Sequence, residues 1–404
     1  MSKPTSKNIY DLILITTIVL LVFGGIGGAF QPVRLFSLAV GFLIIAKNSA
    51  VVLKREILGI VVFFIFLFSY SLISLSWTID LTEGMKASFY LVCHITIFFN
   101  IVICFHRANN PLDSLLLGWL LFVGITIPIA LFELIFDQHL STSFYESNRV
   151  SYTADGTAYF RRFASVTFGN FNTYVVVLVC SLPFLFGLLL RPASKVKMGF
   201  YVFVLFIVYA IILINASRGG IVCGIVIFLM FSFLRKGRKF KVSGFLRFLF
   251  VCAVFVFIYY APLILEQIML RLSGDRGLFQ DQIREKLFEA AYDISRDYNF
   301  MGAGAGSLET LMILKKASIH LPHNFLLEIL AQYGIVFLSI FVFFILKLLY
   351  KAYNSDIVIF RVIVLCAVSS MPLLFIVNSG YLYYPVIWVY FSSLYMLSFV
   401  RLFK

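Results

Sequence analysis

Apolar runs recur from one end of the sequence to the other, and several approach the ~20 residues that a helix needs to cross a ~30 Å hydrocarbon layer. They restrict the chain to a polytopic membrane protein whose helices are themselves the core. Twelve such runs can be drawn, at about 11–30, 33–46, 57–77, 87–105, 112–136, 173–190, 198–215, 219–234, 244–263, 324–346, 358–378 and 382–400. Composition agrees: 61% hydrophobic and 13% charged over 404 residues excludes a soluble class. The first run lacks a small-x-small exit site and is expected to be a retained span. The expected fold is all-α, with about twelve transmembrane helices and a periplasmic helical subdomain.

Charge sets the orientation. With the N-terminus inside, 20 of the 33 lysines and arginines fall on the cytoplasmic side, and the short outer turns hold only Arg34, Lys86 and Arg218. Both termini are then cytoplasmic. Much of the net charge of +14 is topology and does not imply nucleic acid. Three regions follow. Residues 1–263 carry helices one to nine with an outer loop at 137–172, residues 264–323 form a second outer loop, and residues 324–404 carry helices ten to twelve.

In the second loop Ile283, Leu287, Ala291, Ile294 and Tyr298 recur at helical spacing. They predict an amphipathic helix lying along the outer membrane surface. It stops at Gly302-Ala303-Gly304-Ala305-Gly306, read as a flexible turn. No βαβ unit surrounds these glycines, so they are not a nucleotide loop. Cys93, Cys104, Cys180, Cys223, Cys252 and Cys366 all lie in apolar runs without zinc spacing and are expected as small core residues. No carboxylate pair or His/Cys cluster calls for a metal or cofactor, and nothing resembles a serine nucleophile elbow.

Leu321-Pro322-His323-Asn324 stands where the second loop enters an almost uninterrupted apolar run. Pro322 suits a helix start, and Asn324 can cap the exposed N–H groups there. His323 would lie at the positive end of a helix dipole, which disfavours the imidazolium. A neutral imidazole can accept a proton; a polar residue marking the water boundary is the plainer alternative. Arg218, in Asn215-Ala216-Ser217-Arg218-Gly219-Gly220, opens a helix with free N–H groups and glycines, which suits an anion. A snorkelling interfacial arginine is the alternative there. Arg284 draws its claim from the company of Arg218 and His323, and Arg161 and Arg162 are weaker versions of the same case. Glu328 is a carboxylate about one turn into the apolar run. Two arginines and a histidine on one side of a membrane suit a reaction whose leaving group is a phosphate or diphosphate.

With these residues in view, the chain resembles the O-antigen ligase and O-antigen polymerase superfamily of bacterial envelope glycosyltransferases. The resemblance runs from about Phe163 to Ile345 and is closest to the ligase form. It rests on Gly169-Asn170-Phe171-Asn172, on Ser217-Arg218-Gly219-Gly220, on Arg284 heading the amphipathic helix, and on His323-Asn324-x9-Gly334. Phe337 and Phe171 depart from the usual pattern. The resemblance implies a fold similar to GT-C glycosyltransferases and an undecaprenyl-diphosphate-linked glycan as donor. It also implies metal-independent, inverting transfer on the periplasmic face of the inner membrane. Arg218 and Arg284 would contact the diphosphate, and His323 would be the base. Asn324, Arg161, Arg162, Asn172 and Glu328 are the expected substrate-binding residues. The acceptor would be a lipid A–core sugar hydroxyl, or, in a polymerase, a second lipid-linked glycan. A transporter of a lipid-linked anion should carry charges near mid-membrane and repeated halves, and neither is evident.

Overall fold

The computed structural model describes residues 8–48, 51, 54–144, 150–152, 158–160, 162–235, 282–317 and 319–399. The expected span at 244–263, Cys252 and Arg161 lie outside them. The described residues are overwhelmingly helical: α1 (Ile9–Val19), α2 (Pro32–Lys47), α3 (Arg55–Ser74), α4 (Leu81–Arg107), α5 (Pro111–Phe136), α6 (Phe171–Leu189), α7 (Lys195–Ile214) and α8 (Arg218–Leu234) come first. After them come α9 (Gln282–Asp297), α10 (Ser307–Leu314), α11 (Phe325–Tyr333), α12 (Ile335–Tyr353), α13 (Val358–Leu374) and α14 (Pro385–Leu397). One element departs from an all-α reading. Val150–Tyr152 and Ala158–Phe160 pair antiparallel as a short hairpin inside the first expected outer loop.

Among the described residues six helices are long and apolar enough to cross a membrane: α3 from Ile57, α4, α5, α6, α7 and α12. The apolar helices at Ile9–Phe23, α8, α13 and α14 are shorter. The chain is a multi-pass membrane protein.

It divides into two compact units. The first comprises residues 1–118, 282–354 and 378–404. Its centre is α4, which packs against α1, α2, α3 and α14. Asp80 fixes where α4 begins: its carboxylate accepts the N–H groups of Thr82 and Glu83 at 2.9 and 3.1 Å. The second unit comprises residues 119–281 and 355–377. There α6, buried along nearly its whole length, packs against α7, α8 and α13.

Three expectations change. The amphipathic helix α9 does not turn its apolar stripe to lipid. Leu287, Ala291 and Ile294 are buried against Ala303, Leu308, Met312 and Ala331 of the first unit. An apolar stripe is indifferent to whether lipid or protein covers it, and here α10 and α11 supply the partner.

The apolar run from residue 324 is not one helix. It breaks at Gly334, whose φ of 86° and ψ of 177° end α11 and start α12. Hydropathy is continuous through this point, so the pattern alone cannot see the break.

The glycine turn, finally, is packed. Gly302, Gly304 and Gly306 are buried with φ between 73° and 96°. The segment crosses the helix break and meets its open ends. Ala303 N–H donates to Ala331 O at 2.8 Å, Gly304 N–H to Gln332 O at 3.1 Å, and Ile335 N–H to Phe300 O at 2.9 Å. Ser74 and Thr78 hold its other side: Ala305 N–H donates to Ser74 Oγ at 2.9 Å, and Thr78 Oγ1 donates to Ala305 O at 2.9 Å.

Candidate active site

The structure puts His323 just outside the helix it was expected to open. Asn324 is the capping residue, accepting the N–H groups of Leu326 and Leu327 at 3.0 and 3.2 Å. Pro322 therefore precedes the helix and is not its first residue. His323 itself is half-buried, with φ at 49°. Left-handed backbone at a non-glycine residue costs on the order of 1–3 kcal/mol and persists only where the surroundings impose it. Histidine is among the residues that tolerate it best.

Glu328 lies one turn into α11 and is 1% exposed. Its Oε1 accepts Gly380 N–H at 2.7 Å and its Oε2 accepts Leu382 N–H at 3.4 Å. Arg284 is half-buried on the first turn of α9. His323, Asn324, Glu328 and Arg284 all belong to the first unit.

Arg218, Asn172 and Arg162 belong to the second. Arg218 is the first residue of α8; Ser217 occupies the capping position, but its side chain makes no capping bond. The turn before it is held by Asn215, whose amide exchanges two hydrogen bonds with the backbone of Ala164, at 2.7 and 3.0 Å. A guanidinium thus sits at the positive end of α8, and another in the first turn of α9, where the helix dipole opposes a cation and favours an anion. Asn172 is the second residue of α6, and its N–H donates to Asn170 Oδ1 at 2.7 Å. Arg162 is exposed and donates to Leu134 O and Ile135 O at 3.3 and 3.2 Å, neutralising the carbonyl end of α5.

Two groups escaped the sequence reading. Glu133 is buried near the end of α5, and its Oε2 accepts Ser165 and Val166 N–H at 2.8 Å each. His139 lies 3.5 Å from both Glu133 Oε1 and Asp137 Oδ1 and stacks on Phe163 at 4.2 Å between ring centres. A carboxylate within an apolar run was the available signal. The other is Arg34, expected as an outer-turn charge. It is 2% exposed, donating to Gly28 O at 2.9 Å and lying 4.0 Å over the Tyr90 ring.

Residues 200–342 match the family model for O-antigen ligases. The matched region therefore holds Arg218, Arg284, His323, Asn324 and Glu328, whereas Arg162, Asn172, Glu133 and Arg34 lie outside it. The chain is also 26% identical over 316 residues to the teichuronic acid biosynthesis protein TuaE of Bacillus subtilis (strain 168). That stretch is 74% of this chain and 62% of TuaE, so the chain spans under two thirds of its relative's length. Both are similarities to proteins of bacterial surface-polysaccharide synthesis, the first confined to residues 200–342. Among the described residues no group of three or more His, Cys, Asp or Glu side chains could hold a metal ion.

Proposed function

We propose that the protein is an O-antigen-type ligase. It would transfer an undecaprenyl-diphosphate-linked glycan to a lipid A–core sugar hydroxyl on the periplasmic face of the inner membrane. The observation that carries the reading is the O-antigen ligase match, which encloses His323 and two arginines at helix starts. The imidazole of His323 accepts the proton of the acceptor hydroxyl as its oxygen bonds to the anomeric carbon. The bond from that carbon to the diphosphate oxygen breaks, and its electron pair leaves with the diphosphate. Arg218 and Arg284 stabilise the charge that develops there, often the larger electrostatic contribution. Attack opposite the leaving group inverts the anomeric centre, and no metal takes part. The similarity to TuaE, named for teichuronic acid biosynthesis, favours a second reading with the same donor: a polymerase whose acceptor is another lipid-linked glycan.

The envelope polysaccharide of a deletion strain separates the two. Loss of a ligase leaves long chains on the lipid carrier and bare core. Loss of a polymerase leaves core capped by single repeat units, and that result would overturn the ligase reading.

Arg218→Lys tests the anion site. Lysine keeps the charge but loses the planar fork that matches a diphosphate. A charge-assisted contact contributes about 1.5–3 kcal/mol, so transfer by purified protein should fall roughly ten- to a hundredfold. Parental activity would reduce Arg218 to an interfacial anchor.

Topology is open to a direct measurement. Single cysteines at Ser151 and at Glu289, which is exposed on α9, should react with an impermeant reagent in outer-membrane-permeabilised cells, and those at Gly237 and Lys404 should not; Leu308, in the same expected outer loop, is buried and unsuited to labelling. The motive is the asymmetry of lysine and arginine across short loops. Labelling at 237 without labelling at 289 would invert the assignment.

A further inference from the structure

Two buried side chains, one acidic and one basic, meet one short turn from its two ends. The turn is Tyr381–Tyr383, a single 3-10 turn entered through Gly380 and followed by α14. At its start Glu328 accepts the N–H groups of Gly380 and Leu382. At its end the guanidinium of Arg34 donates to Tyr383 O, while also holding Gly28 O and Ala29 O at 2.9 and 3.4 Å. Carboxyl oxygens accepting on the N–H end and a guanidinium donating on the carbonyl end match the polarity of a helical turn. Among the described residues neither side chain forms an ion pair with another side chain. The backbone of the turn is what both side chains bond to.

The same turn touches the chain on either side of His323. A side chain at Gly380 would begin 3.4 Å from Leu321 Cδ1, so the turn passes close against Leu321. The Tyr381 ring, itself buried, lies 5.6 Å from that of Phe325 between centroids. Leu321 and Phe325 bracket His323 by two residues each, and His323 holds left-handed backbone between them. The Tyr383 ring in turn packs edge-on to Tyr90 at 5.8 Å, the ring that Arg34 covers.

We propose that Arg34 and Glu328 are positioning residues: together they fix the turn at 380–383, and through Leu321 and Phe325 the turn fixes the backbone that aims His323. This rests on the base role proposed above for His323. It gives α2, which lies outside the O-antigen ligase match, a part in catalysis. It also accounts for a buried arginine that no side-chain carboxylate among the described residues neutralises. Glu328 acts on the same turn from within the matched region, so neither residue needs to touch substrate.

Purified full-length protein in detergent can be examined by hydrogen–deuterium exchange and by turnover of a lipid-linked glycan donor. Arg34→Met and Glu328→Ala should speed amide exchange at 380–383 and also at 321–326. They should lower kcat roughly ten- to a hundredfold, the scale of a ~1 Å misplacement, with KM for the donor within about twofold. Arg34→Lys and Glu328→Gln, which keep one of the hydrogen-bonding functions, should recover part of kcat. If the truncations do not fold, the two conservative variants decide, since they should still show a kcat loss at constant KM. Parental kcat in all folded variants, or a change confined to KM, would overturn the inference. A parent that turns over no such donor would count against the proposed function alone. Exchange then decides the clamp: faster exchange at 380–383 without any change at 321–326 would overturn it.

Discussion

His323→Asn should insert and fold like the parent and transfer almost no glycan. Asparagine is the sharper substitution because position 323 holds φ at 49°, a conformation that asparagine adopts readily. A boundary residue survives that change, since an amide meets water at a helix start as well as an imidazole does. A base does not, because an amide takes no proton at working pH. Loss of a positioned base typically costs ~10²–10⁴-fold. His323→Gln should behave alike, and His320→Gln should change little, since His320 is exposed and pairs with exposed Glu309 at 3.5 Å. The pH profile supplies a second readout. Acidification protonates a base, so the parent should lose activity on the acid side, whereas the residual rate of His323→Asn should lack that limb. Near-parental transfer by His323→Asn with purified lipid-linked donor would remove the base and leave only arginine-assisted departure of the diphosphate.

Hydropathy and caps made much of this protein legible. The start of α11 follows from Asn324, read as a cap and accepting N–H groups of its own first turn; Asp80 and Asn170, not singled out as caps in the sequence, start α4 and α6 in the same way, a few residues ahead of the expected spans. Such contacts are local and are written in consecutive residues. What the sequence hides is contact between distant segments. Nothing near Arg34 announces that it will meet Tyr383, and nothing near Glu133 announces Ser165 and Val166. A charge in an apolar run says only that some partner exists. The stripe on α9 was visible for the same reason that its partner was not: periodicity gives the face, and only the fold gives what covers it. The expected residues also divide between two units, with His323, Arg284 and Glu328 in one and Arg218, Asn172 and Arg162 in the other. Motif spacing carries no sign of that division.

Gly334→Ala should yield no stably folded protein. The position combines two demands that only glycine meets. Its φ of 86° with ψ of 177° falls in a region essentially closed to L side chains, at a cost of order 1–3 kcal/mol. An added Cβ would also stand 2.4 Å from Met301 O and 2.5 Å from Met301 C, which are backbone atoms that cannot swing aside. The opposing segment offers no relief, since a Cβ at Gly302 would in turn meet Gly334 N at 2.7 Å. Two glycines therefore face each other across the break between α11 and α12. The hydrogen bonds that satisfy the ends of those helices, Ala303 to Ala331 and Ile335 to Phe300, depend on that close approach. Forcing the backbones apart would leave these buried groups unpaired, at about 1–3 kcal/mol each. It would also loosen α11, which carries Glu328 and is capped beside His323. Gly59→Ala is the matched control: it lies on α3 with nothing within 4 Å of the added carbon, and helix propensity favours alanine. Yield and monodispersity in detergent read both outcomes. Parental yield and activity from Gly334→Ala would show that α11 and α12 can join as one straight helix, and the packed glycine turn would then be dispensable to the site.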